Sequence, residues 1–141
     1  MGLRIYLDID GVLLDGENPA DGADEFLEFV TSTYPGDVYW LSGRCQGDAT
    51  ATVAQIADLF DADTVERISE IHATDWATSK TEAIDFSNDF LWFDDVLDLL
   101  DEQLLSNHGV LDRFILIELH EQPDQLRRLT DKFPPSKNSP Y

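Results

Sequence analysis

Strand-like and helix-like segments alternate about five times along this chain of 141 residues, and this alternation constrains the fold more than any other feature. The strand-like segments are short apolar runs rich in β-branched and aromatic residues. Such an alternation predicts a mostly parallel, five-stranded sheet with helices on both faces, which is a three-layer, Rossmann-like α/β fold. The five predicted strands lie in LRIYL (3–7), DVYWLSG (37–43), VERISEIH (65–72), DFLWFDD (89–95) and RFILIEL (113–119).

The segments between the apolar runs are predicted to be helices or loops. Residues 11–22 carry three glycines and a proline, which is typical of a loop or a small flap. A capping-box pattern, Thr78 or Ser79 ahead of Glu82, predicts a short helix that starts there. Apolar residues that recur on one face predict longer helices over 23–34 and 48–60. Two more helices are predicted over 98–106 and over 123–133, the latter with its basic residues near the end.

The composition restricts the classes of partner. The chain has 9 basic and 29 acidic residues, so its formal charge is −20, which repels nucleic acids and anionic membranes at long range. No apolar run approaches the ~20 residues of a membrane helix, and the early acidic residues do not fit a signal peptide. The single cysteine, Cys45, excludes an intramolecular disulfide. We therefore expect one cytoplasmic domain over residues 1–133, with a loose polar tail over 134–141, and neither a nucleic acid nor a membrane as partner.

Five polar residues stand where three of the predicted strands end. They are separated by up to 87 positions in the sequence. In a parallel sheet, ligands bind at the carboxyl ends of the strands, near the point where the strand order reverses. We therefore expect one rim of the sheet to bring together Asp8, Asp10, Ser42, Asp94 and Asp95.

The chemistry of this rim favours a metal ion and a phosphate. Four carboxylates and one hydroxyl suit a hard cation such as Mg²⁺, which in turn attracts a phosphate group. Gly11 and Gly43 let the backbone approach an anion closely, and Lys80 supplies a positive charge near the start of a predicted helix. Without the metal, a phosphate dianion would be strongly repelled by the carboxylates. We therefore expect any activity to depend almost completely on Mg²⁺.

Four segments resemble, in order and approximate spacing, the four motifs of the haloacid dehalogenase-like (HAD) superfamily. They are DIDGV (8–12), LSG (41–43), Lys80 and FDD (93–95), and together they span about two-thirds of the chain. The first motif is fairly specific, whereas the others are weak individually and persuasive as a set. The resemblance implies a Rossmann-like domain that acts as a magnesium-dependent phosphatase.

The resemblance also implies a role for each matched residue. Asp8 resembles the nucleophile that forms an aspartyl-phosphate. Asp10 resembles the general acid and then base, with its backbone carbonyl on the Mg²⁺. Ser42 resembles the hydroxyl that binds a phosphoryl oxygen, and Lys80 resembles the lysine that balances the charge of nucleophile and phosphate. The implied catalytic residues are thus Asp8, Asp10, Ser42 and Lys80, and the implied substrate-binding residues are Gly11, Ser42, Gly43 and Lys80.

The fourth motif has two candidates for its second metal ligand. Asp94 resembles its main metal ligand, and Asp95 resembles a second ligand or a water holder. Asp98, four residues after Asp94, fits one version of the motif and is the alternative to Asp95. The implied metal set is Asp8, Asp10, Asp94 and Asp95.

Members of this family often carry an inserted cap domain, and this chain resembles a small capless member with an open site. Only a short flap follows the first motif, and one predicted helix and one predicted strand separate Ser42 from Lys80. Capless members often act on large substrates or gain a lid by forming oligomers. The expected partner is therefore a phosphorylated substrate, either a small molecule or an exposed phosphate of a macromolecule, and the oligomeric state is left open.

Two other functions compete with a phosphatase. One is a catalytically silent HAD-like binding or regulatory domain that has kept the fold. The other is a receiver-like signalling domain, which ranks third because its phosphoacceptor would follow the third strand, whereas here the acidic doublet comes late. Arg44, directly after Gly43, is either a contact for a substrate anion or, as we expect, an ordinary surface arginine.

Overall fold

The computed structural model describes residues 3–132, in which six strands form two sheets. The strands are β1 (Arg4–Leu7), β2 (Leu14–Asp15), β3 (Asn18–Pro19), β4 (Val38–Trp40), β5 (Phe90–Asp94) and β6 (Phe114–Leu116). The main sheet has the order β4–β1–β5–β6, and all of its neighbouring pairs are parallel. Strands β2 and β3 pair antiparallel as a small hairpin, which confirms the flap predicted after the first strand.

Five α-helices connect or follow these strands. They are α1 (Ala23–Thr33), α2 (Ala49–Ile56), α3 (Ala62–Ile68), α4 (Leu99–Asn107) and α5 (Gln125–Lys132), with 3₁₀ helices at Ala57–Leu59, Lys80–Ala83 and Leu111–Arg113. The predicted α/β class with a parallel sheet is therefore confirmed, and it is compatible with a Rossmann-like fold. None of the helices in residues 3–132 is long and apolar enough to cross a membrane. The predicted tail, 134–141, and residue 133 lie outside the described residues.

The main sheet is buried on both faces. Ile5 and Leu7 belong to the larger hydrophobic cluster, whereas Tyr6, which lies between them in β1, belongs to the smaller one. Helix α1 contributes Phe26 to the larger cluster, and α4 contributes Leu105 to the smaller one. Burial on both sides explains why the strands appear in the sequence as continuous apolar runs instead of alternating ones.

The strand predicted over 65–72 is wrong, because helix α3 occupies the first half of this segment and turns follow it. Asp61 caps α3, and its side chain accepts a hydrogen bond from the backbone N–H of Thr64 at 2.8 Å. This N-cap stabilises a helical first turn, which outweighs the weak alternation of apolar residues. His72 forms one isolated parallel bridge with Tyr39. In residues 3–132, the main sheet therefore has four strands, not the predicted five.

The stretch between Ser42 and Lys80 belongs to the body of the domain. It was predicted to hold one helix and one strand, but it holds α2, the 3₁₀ helix at Ala57–Leu59 and α3. Val53, Ile56 and Ile68 from these helices are buried in the larger hydrophobic cluster. These helices therefore pack on the sheet, and short loops lie at the carboxyl ends of the strands.

The strand order reverses next to β1. The chain passes from β1 outward to β4 on one side, and it later returns to β5 on the other side. In open α/β sheets, ligands bind at the carboxyl ends of the strands at such a reversal. Asp8 directly follows β1, and Asp94 is the last residue of β5. The topology thus places these two aspartates at the point where a ligand site is expected.

The packing of α1 on the sheet yields the first prediction. Phe26 is fully buried, and its ring meets that of Phe93 edge to face with 5.3 Å between centroids. We expect Phe26→Ala to lower the free energy of unfolding by about 3–5 kcal/mol, because it leaves a cavity against β5. Urea unfolding followed by circular dichroism measures this loss.

Leu99→Ala is the matched control, because Leu99 is also helical but its side chain is 81% exposed. This substitution is expected to change the free energy of unfolding by no more than about 0.5 kcal/mol. Similar losses for both variants would contradict the packing described for α1.

Candidate functional site

Three carboxylates meet at the carboxyl ends of β1 and β5. Asp8, Asp94 and Asp95 each offer one oxygen atom, and these atoms all lie within 4.8 Å of one another. Asp8 and Asp94 are buried, whereas Asp95 is exposed. The fold therefore brings together three of the four acidic side chains that the sequence predicted as metal ligands. We call Asp8, Asp94 and Asp95 the acidic cluster.

Lys80 lies against two members of the acidic cluster. Its Nζ donates a hydrogen bond to Oδ2 of Asp94 at 2.7 Å and lies 3.4 Å from Oδ1 of Asp8. Lys80 is the first residue of a 3₁₀ helix whose start is held by a capping box between Ser79 and Glu82. The capping box predicted from the sequence is confirmed, and it positions the backbone from which the lysine reaches the carboxylates.

Asp94 is the most extensively hydrogen-bonded carboxylate of the cluster. Its Oδ1 accepts from the backbone N–H groups of Asp95 at 2.7 Å and Val96 at 3.3 Å. Its Oδ2 accepts from Lys80 and from Nε1 of Trp92, the latter at 3.2 Å. A carboxylate offers about four lone-pair positions. A metal ion bound to Asp94 would therefore share an oxygen with, or displace, one of these donors.

The acidic cluster carries charge that its neighbours do not fully neutralise. Burial, followed by the charge of Asp8, raises the pKa of Asp94 to about 6, although Lys80 opposes the shift. Burial also raises the pKa of Asp8, again against the effect of Lys80. For Asp95, burial and its contact with Asp94 raise the pKa. Burial alone would lower the pKa of Lys80, but the charges of Asp8 and Asp94 raise it above its ordinary value.

These features suit a hard divalent cation. All of the candidate ligand atoms are carboxylate oxygens, the donor type that such ions prefer. Three carboxylates and one ammonium group leave two negative charges, which one divalent ion would neutralise. The residues that could hold it are Asp8, Asp94 and Asp95.

The side chain of Asp10 bonds to Arg44 and is not part of the acidic cluster. Its exposed carboxylate accepts two hydrogen bonds from Arg44, from Nε to Oδ2 and from Nη2 to Oδ1, both at 2.8 Å. This two-point contact holds the pKa of Asp10 below its ordinary value. Arg44, which we expected to be an ordinary surface arginine, therefore lies within the site. Its position directly after the LSG segment was the signal in the sequence.

Ser42 is fully buried at the end of the segment that follows β4. Its Oγ accepts a hydrogen bond from the backbone N–H of Arg44 at 3.1 Å, so the hydroxyl oxygen stabilises the turn into the next loop. Gly43, in this turn, has open space where a Cβ would stand. The turn therefore combines a fully buried hydroxyl with a backbone that is exposed at Gly43.

Gly11 is required by a close contact within the site. Its φ of +81° lies in the left-handed region, and a Cβ at this position would overlap the side chain of Asp95. The glycine of the DIDGV segment therefore leaves the space in which an acid of the late FDD segment lies. Two segments more than 80 positions apart thus fit together at Gly11.

An open cavity of about 670 Å³ lies beside the pair formed by Asp10 and Arg44. The side chain of Gln55 donates a hydrogen bond to the backbone carbonyl of Arg44 at 2.9 Å, which helps to hold the loop. Gln46 and Gln55 were not predicted as site residues, because glutamines in a loop and on a helix give no distinctive sequence signal. The lining includes Asp10, Gly43, Arg44, Gln46, Asp48 and Gln55.

Asp98 and Asp101 have structural contacts that the sequence did not reveal. Asp98 caps α4, and its side chain accepts from the backbone N–H of Asp101 at 2.8 Å. Asp101 is buried, and it accepts a hydrogen bond from Oγ1 of Thr81 at 2.6 Å. The second contact ties α4 to the 3₁₀ helix that carries Lys80. Of the two candidate acids in the fourth motif, Asp95 is the one in the acidic cluster.

No protein-family model, no curated protein and no solved structure matches this chain. The similarity to the HAD superfamily therefore stays a prediction from the four sequence segments. What the site can do must be inferred from its own geometry and charge.

The close fit of Gly11 against Asp95 yields a prediction about both stability and metal binding. We expect Gly11→Ala to destabilise the fold and to push the Asp95 carboxylate out of the acidic cluster. The free energy of unfolding should fall by at least about 1 kcal/mol more than it does in Gly16→Ala, because the new methyl group overlaps the side chain of Asp95. Urea unfolding with and without Mg²⁺ measures both effects.

Gly16→Ala is the matched control for backbone strain. Gly16 also has a positive φ, +67°, but no atom lies within 4 Å of its Cβ position. The free energy of unfolding of Gly16→Ala should fall by about 1–2 kcal/mol, because alanine is strained in the left-handed backbone conformation. This variant should keep any stabilisation by Mg²⁺. If the two variants respond to Mg²⁺ identically, Gly11 does not serve to make room for a metal ligand.

A pair of substitutions distinguishes Asp95 from Asp98 as the second acid of the fourth motif. We expect Mg²⁺ to raise the unfolding temperature of the wild-type chain, since an ion bound only by the folded state stabilises it by about 2.7 kcal/mol at a hundredfold excess over Kd. Asp95→Asn should lose most of this increase. Asp98→Asn should retain it, because asparagine caps a helix about as well as aspartate. The opposite result would assign the ligand to Asp98.

Proposed function

We propose that this chain is a magnesium-dependent phosphoric monoester hydrolase with a HAD-like fold, acting through an aspartyl-phosphate intermediate on Asp8. The observation that supports it is the meeting of Asp8, Asp94, Asp95 and Lys80 at the reversal of strand order. A buried nucleophile beside a lysine and a site suited to a divalent cation is an arrangement that can support phosphoryl transfer through a covalent intermediate. The order and spacing of the DIDGV, LSG, Lys80 and FDD segments point to the same chemistry.

The acidic cluster and the backbone carbonyl of Asp10 would hold the Mg²⁺. When bound, the ion supplies positive charge to the oxygens of the transferring phosphoryl group. The chain itself contributes Lys80, whose ammonium group keeps the Asp8 carboxylate ionised and oriented. Because the cluster retains two uncompensated negative charges, a phosphate dianion would be repelled from it in the absence of the ion.

The first chemical step forms the phosphoenzyme. A carboxylate oxygen of Asp8 attacks the phosphorus atom in line with the ester oxygen, so that an O–P bond to Asp8 forms and the ester O–P bond breaks. The departing alkoxide takes a proton from Asp10, which picks this proton up from solvent when the substrate draws Arg44 away. Ser42, Lys80 and the backbone N–H of Gly43 would bind the phosphoryl oxygens during this transfer, whereas the N–H of Gly11 already donates to the carbonyl of Leu14 at 2.9 Å.

The second step regenerates the enzyme. A water molecule attacks the phosphorus atom of the aspartyl-phosphate and gives its proton to Asp10, which is now the base. The bond between Asp8 and phosphorus breaks, and inorganic phosphate leaves. Asp8 is again a carboxylate, and Asp10 releases its proton to solvent when it pairs with Arg44 again.

Arg44 determines when Asp10 is free to act. In the structure, both oxygens of Asp10 are engaged by the guanidinium group of Arg44. A phosphate dianion is a strong partner for a guanidinium group, because it accepts the same two parallel hydrogen bonds. We infer that an arriving phosphate group draws Arg44 away from Asp10, so that the acid is released as the substrate binds.

The open cavity beside Arg44 suits either class of substrate that the sequence predicted. Its volume of about 670 Å³ lies within the range of about 300–1,000 Å³ that is usual for small-molecule sites. It is also open to an exposed phosphate on a macromolecule. Nucleic acid remains the least favoured macromolecule because of the net charge of −20.

The proposed location is the cytoplasm. A chain with a single cysteine can form no internal disulfide, which is typical of proteins in that reducing compartment.

A catalytically silent HAD-like binding or regulatory domain is the second candidate. Two observations favour it: Asp10 is held away from the cluster by Arg44, and Asp94 already accepts hydrogen bonds from four donors. In such a domain, Lys80 would stabilise the buried carboxylates, and the cavity would bind a ligand without reaction. The two candidates differ in whether Asp8 ever carries a phosphoryl group.

Trapping the phosphoenzyme tests the proposal directly. With an aryl phosphate and Mg²⁺, we expect steady hydrolysis by the wild type and a loss of about a thousandfold or more in Asp8→Asn or with EDTA. Asp10→Asn should form the phosphoenzyme and hydrolyse it slowly, because an aryloxide leaves without an acid but water still needs a base. Intact-mass spectrometry should therefore show one added phosphoryl group on Asp10→Asn.

Asp98→Asn is the matched control, since this aspartate lies near the cluster but caps α4 instead of joining it. It should hydrolyse the aryl phosphate at the wild-type rate. If the wild type shows no hydrolysis above buffer across a broad panel of phosphate esters, and no variant carries a phosphoryl group, the silent domain is the better description.

A further inference from the structure

Helix α4 turns three of its four leucines outward, next to the candidate site. Leu99 is 81% exposed, Leu100 is 67% exposed and Val96, in the loop before the helix, is 65% exposed. Leu104, one turn after Leu100, is exposed as well. We call these four residues the apolar ridge. Isolated exposed leucines are common, but several within one helical segment indicate an interaction surface.

The outward orientation of the apolar ridge is built into the fold. The inner side of α4 is occupied by Leu105, which packs in the smaller hydrophobic cluster, and by Asp101, which accepts a hydrogen bond from Thr81. Turning Leu99 and Leu100 inward would break this buried hydrogen bond and leave a carboxylate without its partner, which is unfavourable. The ridge therefore faces outward while the helix stays folded against the domain.

A groove runs beside the apolar ridge. It has a volume of about 350 Å³ and lies between α4 and the 3₁₀ helix that begins at Lys80. Leu100 and Leu104, four residues apart, form part of one wall, and Thr81 and Glu82 lie on the other side. A ridge with i and i+4 leucines beside a groove is the form of surface that binds an amphipathic helix.

The charges around the apolar ridge indicate which helix it would accept. Residues 94–107 include five acids and no lysine or arginine. Asp95, Asp98 and Glu102 are exposed along the ridge, and Glu82 lines the groove. A second copy of this chain, at a net charge of −20, would bring acidic groups against acidic groups. A helix with leucine-like residues on one face and lysine or arginine at its edges would match both the apolar and the acidic parts.

We propose that the apolar ridge is a docking surface for a basic amphipathic helix of a partner protein. The surface begins one residue after Asp95, so a docked partner would lie at the edge of the candidate site. The proposal goes beyond the proposed hydrolysis and does not depend on it, because it rests on exposure, shape and charge at α4. The test therefore measures the binding of a peptide and needs no assay of hydrolysis.

A pair of synthetic helical peptides tests the docking surface. One peptide carries leucines along one face and lysines along the other, and its twin has glutamate in place of every lysine. We expect the lysine peptide to bind the wild-type chain in fluorescence anisotropy, more weakly at high salt, and the glutamate twin not to bind. The double variant Leu99→Gln, Leu100→Gln should weaken binding by at least about tenfold, since both side chains lie at the centre of the surface.

Leu59→Gln is the matched control, because Leu59 is an exposed leucine in another element, the 3₁₀ helix Ala57–Leu59. It should leave the affinity for the lysine peptide unchanged. Glutamine is a good helix former, and both leucines in the double variant are exposed, so the variant should keep the circular dichroism of the wild type.

Three outcomes would overturn the proposal. The lysine peptide fails to bind the wild type, or it binds the double variant equally well, which would mean that acidic charge alone attracts it. In the third, sedimentation velocity shows a wild-type dimer that the double variant dissociates, which would assign the apolar ridge to a second copy of the chain.

Discussion

The ion pairs of Lys80 with Asp8 and Asp94 are the interaction on which the rest of the site depends. Two buried carboxylates from neighbouring strands repel each other, and a single ammonium group, 2.7 Å from one and 3.4 Å from the other, makes their closeness tolerable. The lysine is held in turn by a capping box and by the contact between Thr81 and Asp101. The site is therefore supported by β1, β5, a 3₁₀ helix and α4 together.

The same arrangement leaves charge for a ligand to neutralise. Lys80 balances one carboxylate of the acidic cluster, while Asp10 and Arg44 neutralise each other nearby. The two remaining negative charges suit a divalent cation, and the guanidinium group of Arg44 becomes available to an anion that displaces Asp10. Helix α4 links this chemistry to the apolar ridge. On the inner side of α4, Asp101 holds the 3₁₀ helix that carries Lys80, while Leu99, Leu100 and Leu104 of α4 face outward.

Much of the fold and part of the site followed from local patterns. The apolar runs predicted β1, β4, β5 and β6, and the capping box predicted the helix that begins at Lys80, because both signals act over a few residues. The strand predicted over 65–72 failed because an N-cap at Asp61 favoured a helix over a weak alternation. Arg44 was expected to be a surface residue and Asp101 was not singled out, because arginines in loops and acids on helices are usually exposed, and only their partners distinguish them.

The sequence by itself determined the α/β class, the parallel sheet and the positions where polar residues follow strands. Burial on two faces requires continuous apolar runs, and each run ends where polar residues begin. Only the tertiary structure decided which acids meet. Asp95 joins the acidic cluster because Gly11 leaves it space, Asp98 is held at the start of α4, and Asp10 is paired with Arg44. These outcomes depend on distances between segments far apart in the chain, which no local pattern of residues encodes.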